Sequence, residues 1–416
     1  MHHPRPKILL LGEFRYGTGF DRVARHLIRA ANPDFEVHMY ALGYAGEPAY
    51  VAPGVHLHPA KSTRRDRHGA YALAHLANEI QPQLLFVFYD LTFLRFQLEG
   101  LRLFRNRIPI IAYPALDGHI YKRRKLISTL KPLHTCVWFT EFARDQVRQA
   151  LTEQPSLLSR PLRQTVIPHG VDTTAFHPLA STRFASRAQA RSEVFPDLPD
   201  RDLAFIVMNG NRPHARKRHD LTLAAFAQFA AGKPENVYLY LHLSSGNATS
   251  REQFRKQAQK LGIGDRLLMG PPREAGPVDD RRLNHYYNAT DVGINTTTGE
   301  GWGLVSCEHG AAGVPQIVPR HSSHPEIWAD AALYLEPGSY AGDNTQSVWQ
   351  AGPIDPAAAV VHLERLYRDV DFRHTWGTRA EARMRDPYFG WDTIEATWRE
   401  LLHAVLMPQP SIFIHP

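Results

Sequence analysis

The chain of 416 residues has two cysteines, Cys136 and Cys307, far apart in sequence. So few thiols exclude a disulfide-stapled scaffold and a zinc–thiolate cluster, and they fit a reducing compartment. Long hydrophobic runs are also missing. Apolar stretches such as residues 84–89 fall far short of the roughly 20 residues that a membrane span needs. The opening MHHPRPKILLLGE has no secretory hydrophobic region and no cleavage site. A cytoplasmic protein, at most peripheral to the inner face of a membrane, is the expectation. There is no short repeat and no low-complexity tract. What is present is a globular mixture, 43% hydrophobic, 21% charged and 10% aromatic, sufficient for two or three domains and a large core.

Acid is scarce in one half. Residues 1–178 hold 23 Lys/Arg against 14 Asp/Glu, whereas the remaining 238 hold 25 against 27. Local basic clusters are Lys61/Arg64/Arg65/Arg67, Arg102/Arg105/Arg107 and Lys122, Arg123, Arg124 and Lys125. Solvated helix faces explain any single cluster as well as a binding surface does. The asymmetry between halves suggests that the first half meets something anionic.

Continuous apolar runs alternate with helical patterns. Strands are expected at 7–12, 84–90, 108–113 and 135–140 in the first half, and at 204–210, 237–243, 266–270, 291–296 and 315–319 in the second. Helices are expected at 20–31, 71–80 and 141–151, then at 220–231, 251–261 and 304–312, with a final amphipathic helix at 391–406. Strands that are apolar throughout imply a sheet covered on both faces. Their alternation with helices implies right-handed crossovers and parallel strands. The fold class is therefore α/β, with two doubly wound domains linked through 172–201.

Three stretches carry chemistry. In TTTGEGWGLVSCEHGAAGVPQIV (296–318) a buried strand ends, a glycine-rich turn follows and a helix begins. Gly301 and Gly303 lack Cβ atoms where the helix starts, so its free N–H groups and dipole can meet a phosphate closely. Glu300 and Glu308 flank this site, and such carboxylates often accept hydrogen bonds from ribose or sugar hydroxyls. An ordinary strand–turn–helix with two surface glutamates would share that spacing. In NGNRPHARKRHDLTLAAFAQF (209–229), Arg212, Arg216, Lys217 and Arg218 crowd a helix start, where the dipole disfavours cations. A bound polyphosphate would explain that conflict. In FRYGTGFDRVARHLIRA (14–30), Gly17, Thr18 and Gly19 open a helix, but Arg22 occupies the third glycine position of a dinucleotide fingerprint. That favours a phosphate- or sugar-approaching loop over a nicotinamide site.

Taken together these residues resemble the large retaining family, family four, of GT-B glycosyltransferases. Glu300 and Glu308 resemble its E-x7-E motif, and Arg212 with Lys217 its G-R-x4-K motif. VIPHGVDTTAF (166–176) is similar to its interdomain I-P-N-G-V-D segment, with His169 in place of Asn, and FTEFARD (139–145) resembles a further family segment. The resemblance implies an acceptor-side Rossmann-like domain over 1–178, a nucleotide-sugar domain over 179–385, and a helix within 386–416 returning to the first domain. It implies that Glu300 holds hydroxyls of the transferred hexose and Glu308 the ribose diol. Arg212 and Lys217 would take the diphosphate, with Gly17, Thr18 and Gly19 closing over it. Gly301, Trp302, Gly303, Leu304 and Val305 would form the donor-binding turn. One departure matters: Pro114 stands about where the family carries a histidine, and Asp117 or His119 would have to reach the sugar instead.

The donor is expected to be a nucleoside-diphosphate-sugar, such as a UDP- or GDP-sugar, with protein cations in place of an obligatory metal. No metal site is expected: His321 and His324 lack a supporting ligand cluster, and the D-x-D triplets at 200–202 and 369–371 fall in the linker region and in a late helix and are read as chance. Lys122–Lys125, with Tyr113, Tyr121 and Phe96, are candidates for an anionic acceptor: lipid-linked, polysaccharide or nucleic acid. A sugar-nucleotide epimerase, a phosphorylase or a non-catalytic binder on the same fold are the alternatives. A phosphorylase would need a pyridoxal-bearing lysine, for which no residue stands out.

Overall fold

The computed structural model describes residues 4–406 except 65, 67–68, 105–106, 155–157, 159–160, 244–247, 273–275, 277, 340–347 and 351. Arg65, Arg67 and Arg105 of the basic clusters lie outside the described residues.

The first sheet is built from β1 (Lys7–Glu13), β2 (Glu36–Leu42), β3 (Ala49–Ala52), β4 (Val55–Pro59), β5 (Leu84–Asp90), β6 (Ile110–Ala115), β8 (Thr135–Trp138) and β9 (Arg163–Val166), in the order β3-β4-β2-β1-β5-β6-β8-β9. All its pairings are parallel except β3–β4. Helices α1 (Gly19–Ala31), α2 (Ala70–Ile80), α3 (Leu91–Leu101), α4 (Arg123–Leu130) and α5 (Glu141–Glu153) connect these strands. The side chains of Thr18, Asp90 and Thr140 cap α1, α3 and α5, each accepting a backbone N–H of the first turn.

The second sheet holds β10 (Phe205–Asn209), β11 (Val237–Leu241), β12 (Leu267–Met269), β13 (Val292–Ile294), β14 (Gln316–Pro319) and β15 (Leu333–Leu335) in the order β12-β11-β10-β13-β14-β15, all parallel. Its helices are α6 (Arg183–Val194), α7 (His219–Ala230), α8 (Ala248–Lys260), α9 (Asp280–Ala289), α10 (Leu304–Ala311), α11 (His324–Trp328), α12 (Pro356–Arg368) and α13 (Val370–Met384). Buried Val, Leu, Ile and Phe cover both faces of each sheet.

Three features join the two sheets. A short antiparallel ribbon pairs β7 (His119–Ile120) with β16 (Trp349–Gln350). Backbone N–H groups of Glu141 and Phe142, opening α5, donate to the Glu326 carboxylate of α11 at 2.8 and 2.9 Å. The last helix, α14 (Trp391–Leu406), lies on the first sheet: Trp398 packs on Phe86 and Tyr113, and Trp391 stacks on His26 with centroids 3.7 Å apart.

Three expectations change. The segment read as a linker, 172–201, contains α6, because Arg191 is buried there and pairs with Asp291 at 2.7 Å. Strands β2 to β4 had no counterpart in the expected pattern: β3 and β4 are short and partly exposed, with polar residues breaking the apolar run. Tyr113 is fully buried and donates to the Ile167 carbonyl at 2.7 Å, so it belongs to the core rather than to a binding surface.

Candidate active site

The strands of both sheets end at one cleft. Gly17, Thr18, Gly19 and Arg22 from the first half line a cavity of about 400 Å³ together with Gly210, Leu304, Val305, Tyr287 and Glu308 from the second. This is the place where ligands sit in open α/β folds, outside the carboxyl ends of the strands. The glycines permit the approach. Gly17 has φ +84°, and a Cβ on Gly210 would press to 2.7 Å from Val305. Gly303, at φ +101°, caps α10, and a Cβ there would meet Glu300 and His324 at 3.3 and 3.4 Å.

The loop after β10 is knitted to the glycine turn by side-chain hydroxyls. Thr296 donates to the Arg218 carbonyl at 2.8 Å, Thr298 N–H donates to the Arg216 carbonyl at 2.9 Å, and Thr222 bonds Asn209 and Thr296 at 2.8 Å each. That stitching brings Lys217 onto Glu300, with Nζ donating to Oε2. Arg216 donates to the Gly299 carbonyl and lies 3.5 Å from both Glu300 and Asp117. The Asp117 carbonyl accepts from Glu300 N–H at 2.9 Å and from the Ser322 hydroxyl at 2.7 Å, which locks the two halves together at this point. Asp117 faces this cluster; His119 sets its ring edge-on to Phe142 and acts on His321, whose ring bonds the Thr297 carbonyl.

The electrostatics follow from burial and pairing. Burial alone would raise the Glu300 carboxyl, but Lys217, Arg216 and His324 outweigh it and hold it well below the usual carboxylate range. Burial lowers the Lys217 ammonium to about 8 despite the opposing pull of Glu300. Glu308 is 3% exposed; burial raises its carboxyl, and Arg22 and Tyr287 offset that only in part. Arg22 reaches across from α1 to donate to Glu308 and to Asp280, the latter at 2.5 Å, while the Tyr287 hydroxyl donates to Glu308 at 3.0 Å.

Expected residues therefore separate into groups. Lys217, Glu300 and Asp117 converge; Gly17, Thr18, Gly19, Leu304, Val305 and Glu308 line the cavity; Gly301 abuts Ala115 and Asp117. Trp302 packs in the core against His169 and Phe389. Arg212 is exposed at the rim, its charge acting on Glu13 and Tyr89. Of the acceptor-side cluster, Arg123 pairs with Glu153 at 2.7 Å, Lys122 lies over Tyr121, and Lys125 is held down by its partial burial and by Arg95 and Lys122. The clash of cations with the α7 dipole has an internal resolution, since Arg218 pairs with Asp220 at 2.6 Å in the first turn.

Three groups near the cleft went unmarked as site residues in the sequence, Arg22, Glu13 and Asp90, and Arg216 was noted only as one of the cations crowding the start of α7. Burial and nearby Asp117 raise Asp90 to about 6, and burial raises Glu13. Both terminate parallel strands, β5 and β1, and that position was the available signal.

Residues 191–383 match the family model described as glycosyl transferases group 1. The chain is 28% identical over 208 residues to a D-inositol 3-phosphate glycosyltransferase of Segniliparus rotundus, covering 50% of this chain and 42% of that protein. It is 32% identical over 247 residues to the protein of the same name from Xylanimonas cellulosilytica, covering 59% and 52%. It thus spans about half the length of the curated relatives it matches. Among solved structures it is similar to sucrose-phosphate synthase from Thermosynechococcus elongatus, with a TM-score of 0.73, 17% identity and coverage of 96% and 99%. Anabaena HepE in complex with UDP and glucose aligns with a TM-score of 0.66, 16% identity and coverage of 96% and 100%. The chain has the GT-B fold, and its residues 191–383 form a glycosyl transferases group 1 domain.

Proposed function

We propose that the chain is a retaining glycosyltransferase that moves a hexose from a nucleoside-diphosphate-sugar to a hydroxyl of an anionic acceptor. The observation that carries this is the meeting of the Gly17–Gly19 loop and the start of α10 at one cavity, with the Glu300–Lys217–Arg216 cluster buried beside the Gly303 turn that opens α10. As the glycosidic bond breaks, negative charge collects on the departing diphosphate. In this reading Lys217, Arg212 and the first N–H groups of α10 would meet it, and no metal is obligatory. Glu308 would accept from the ribose diol. Glu300, kept ionised, would accept from sugar hydroxyls, and Asp117 from the side of the first sheet. Same-face substitution, with donor phosphate oxygen taking the acceptor proton, gives retention.

A phosphorylated acceptor fits the names of the relatives, inositol 3-phosphate glycosyltransferases in sequence and sugar-phosphate synthases in fold. It also fits the cationic group of Arg95, Lys122 and Lys125 beyond Asp117. Among the described residues no helix is long and apolar enough to cross a membrane. In this reading the enzyme acts in the cytoplasm, where nucleotide-sugars are its donors.

The test is nucleoside diphosphate release from a panel of UDP- and GDP-sugars, with cyclitol and hexose phosphates beside their unphosphorylated forms. Proton NMR of the product reads the anomeric configuration. Release that depends on a phosphorylated acceptor, with configuration retained, is expected. Donor consumed to an epimer without an acceptor product would overturn the assignment.

A further inference from the structure

A second cluster lies away from the cleft, toward the amino ends of the first-sheet strands. Glu36 and His38 are two apart on β2 and share a face; His56 and His58 do the same on β4. The parallel register sets His38 directly against His56. Glu36 Oε1 lies 2.8 Å from His38 Nε2 and 3.6 Å from His56 Nε2, and the three ligand atoms fall within 4.8 Å of one another. The rings of His38 and His56 are stacked, with centroids 4.6 Å apart and planes 10° apart. Tyr50 on β3 sets its ring edge-on to His56. His38 Nδ1 is 3.0 Å from His58 Nε2.

We propose that Glu36, His38 and His56 form a binding site for a borderline divalent cation of the zinc, cobalt or nickel type, with His58 orienting His38. The geometry fits the metal chemistry. Bonds of about 2.0–2.1 Å in a tetrahedral site separate neighbouring ligand atoms by about 3.3 Å, a value that the 2.8 and 3.6 Å spacings bracket. Two imidazoles and one carboxylate suit these ions, with a water in the fourth position. The His38–His58 contact supplies the outer hydrogen bond that fixes a ligating imidazole. On binding, His38 carries its proton on Nδ1 and donates it to His58 Nε2, leaving Nε2 to the metal. Among residues packed around the cluster, Lys7 on β1 is the opposing charge, and Glu79 on α2 acts on His58.

The cation would pin β2 to β4 and take no part in the chemistry of the cleft, which lies at the opposite ends of the strands. The experiment titrates untagged full-length protein with Co²⁺, followed by visible d–d absorption, and with Zn²⁺ by calorimetry. One equivalent is expected, with a rise in thermal midpoint and affinity that falls from pH 7.5 to 5.5. His58→Ala weakens binding by roughly 10–100-fold, and His56→Ala and Glu36→Gln weaken it further. His374→Ala, at an exposed position elsewhere, leaves it unchanged. Because His56 and Glu36 are partly exposed, their variants should fold, as circular dichroism would confirm. No stoichiometric binding, or binding retained in His56→Ala but lost in a His2→Ser, His3→Ser variant, would overturn the proposal.

Discussion

The two walls of the cleft hold charge in different ways. On the wall made by the second sheet, Glu300, Lys217 and Glu308 are buried, and each already faces an opposite charge. On the side of the first sheet, Lys122, Arg123 and Lys125 are part-exposed and Arg124 is exposed. Burial strengthens an electrostatic interaction and fixes its geometry, whereas exposed charges are screened by salt and hold no single geometry. The difference teaches where specificity and where attraction should reside. The buried wall can act on one defined group, and the exposed cluster can only favour anions as a class.

The sharpest way to break this comparison is Lys217→Ala. Loss of one preorganised donor to developing charge costs about 10²–10³ in turnover, and here it also leaves Glu300 with Arg216 as its remaining close cation. Arg212→Ala, at the exposed rim, should cost less. Equal losses in steady-state assays of the two folded variants would erase the distinction between wall and rim. Lys217 adds a pH signature. Its proton leaves at about 8 rather than at the ordinary lysine value, so its charge is present below pH 8 and lost above. Donor kcat/KM should fall by about tenfold per pH unit on that limb. Lys217→Arg, whose guanidinium stays protonated, should abolish the limb.

Next in size is the contrast between the two glutamates. A hydrogen bond to a charged group contributes about 1.5–3 kcal/mol, so Glu308→Ala should weaken nucleoside diphosphate binding roughly ten- to hundredfold. Glu300→Ala should spare that binding and cut sugar transfer. Calorimetry with free diphosphate separates the two, and a reversed pattern would exchange their roles.

Arg22 crosses between the walls and provides a smaller effect. It offsets the upward push of burial on the Glu308 carboxyl. Without it that carboxyl moves higher, takes up a proton as pH falls, and loses acceptor capacity toward ribose. Arg22→Ala should therefore bind nucleotide more weakly at pH 6 than at pH 8, whereas the native chain changes less. The opposite slope in calorimetry at the two pH values would show that Arg22 blocks ribose rather than preparing its partner.

Much of this was legible in the residues. The buried strands of both sheets are continuous apolar runs, and Glu300, Lys217 and the glycine turn sit at strand ends that the alternation locates. What escaped was set by register and by contacts between distant segments. Arg22 differs from any surface arginine on α1 only because the second half delivers Glu308 and Asp280 to it. Arg216 and Arg212 are equivalent by composition, and the threonine stitching of 296–298 to the 216–218 carbonyls selects Arg216. The Glu36–His38–His56 group needed β2 and β4 to be recognised as strands, and the short, polar β4 carries a weak strand signal.

The smallest effect tests the exposed side. Lys122 to Lys125 begin five residues beyond Asp117, and α4 carries them at the carboxyl end of the first sheet. If they attract the acceptor, their contribution is long-range and screened. The Debye length shortens from about 10 Å at 0.1 M to about 3 Å at 1 M, and exposed pairs contribute only about 0.2–1 kcal/mol each. Two or three such contacts amount to a roughly three- to tenfold rise in apparent acceptor KM over that range. Donor KM, governed by buried partners, should move less. Neutralising the run with Lys122→Gln, Arg123→Gln, Arg124→Gln and Lys125→Gln should flatten the acceptor slope. The thermal midpoint should hardly change, since the Arg123–Glu153 pair is itself exposed. A salt-independent acceptor KM in the native chain would reduce the cluster to a solvated surface. A slope that survives the quadruple variant would move the acceptor to another part of the first sheet.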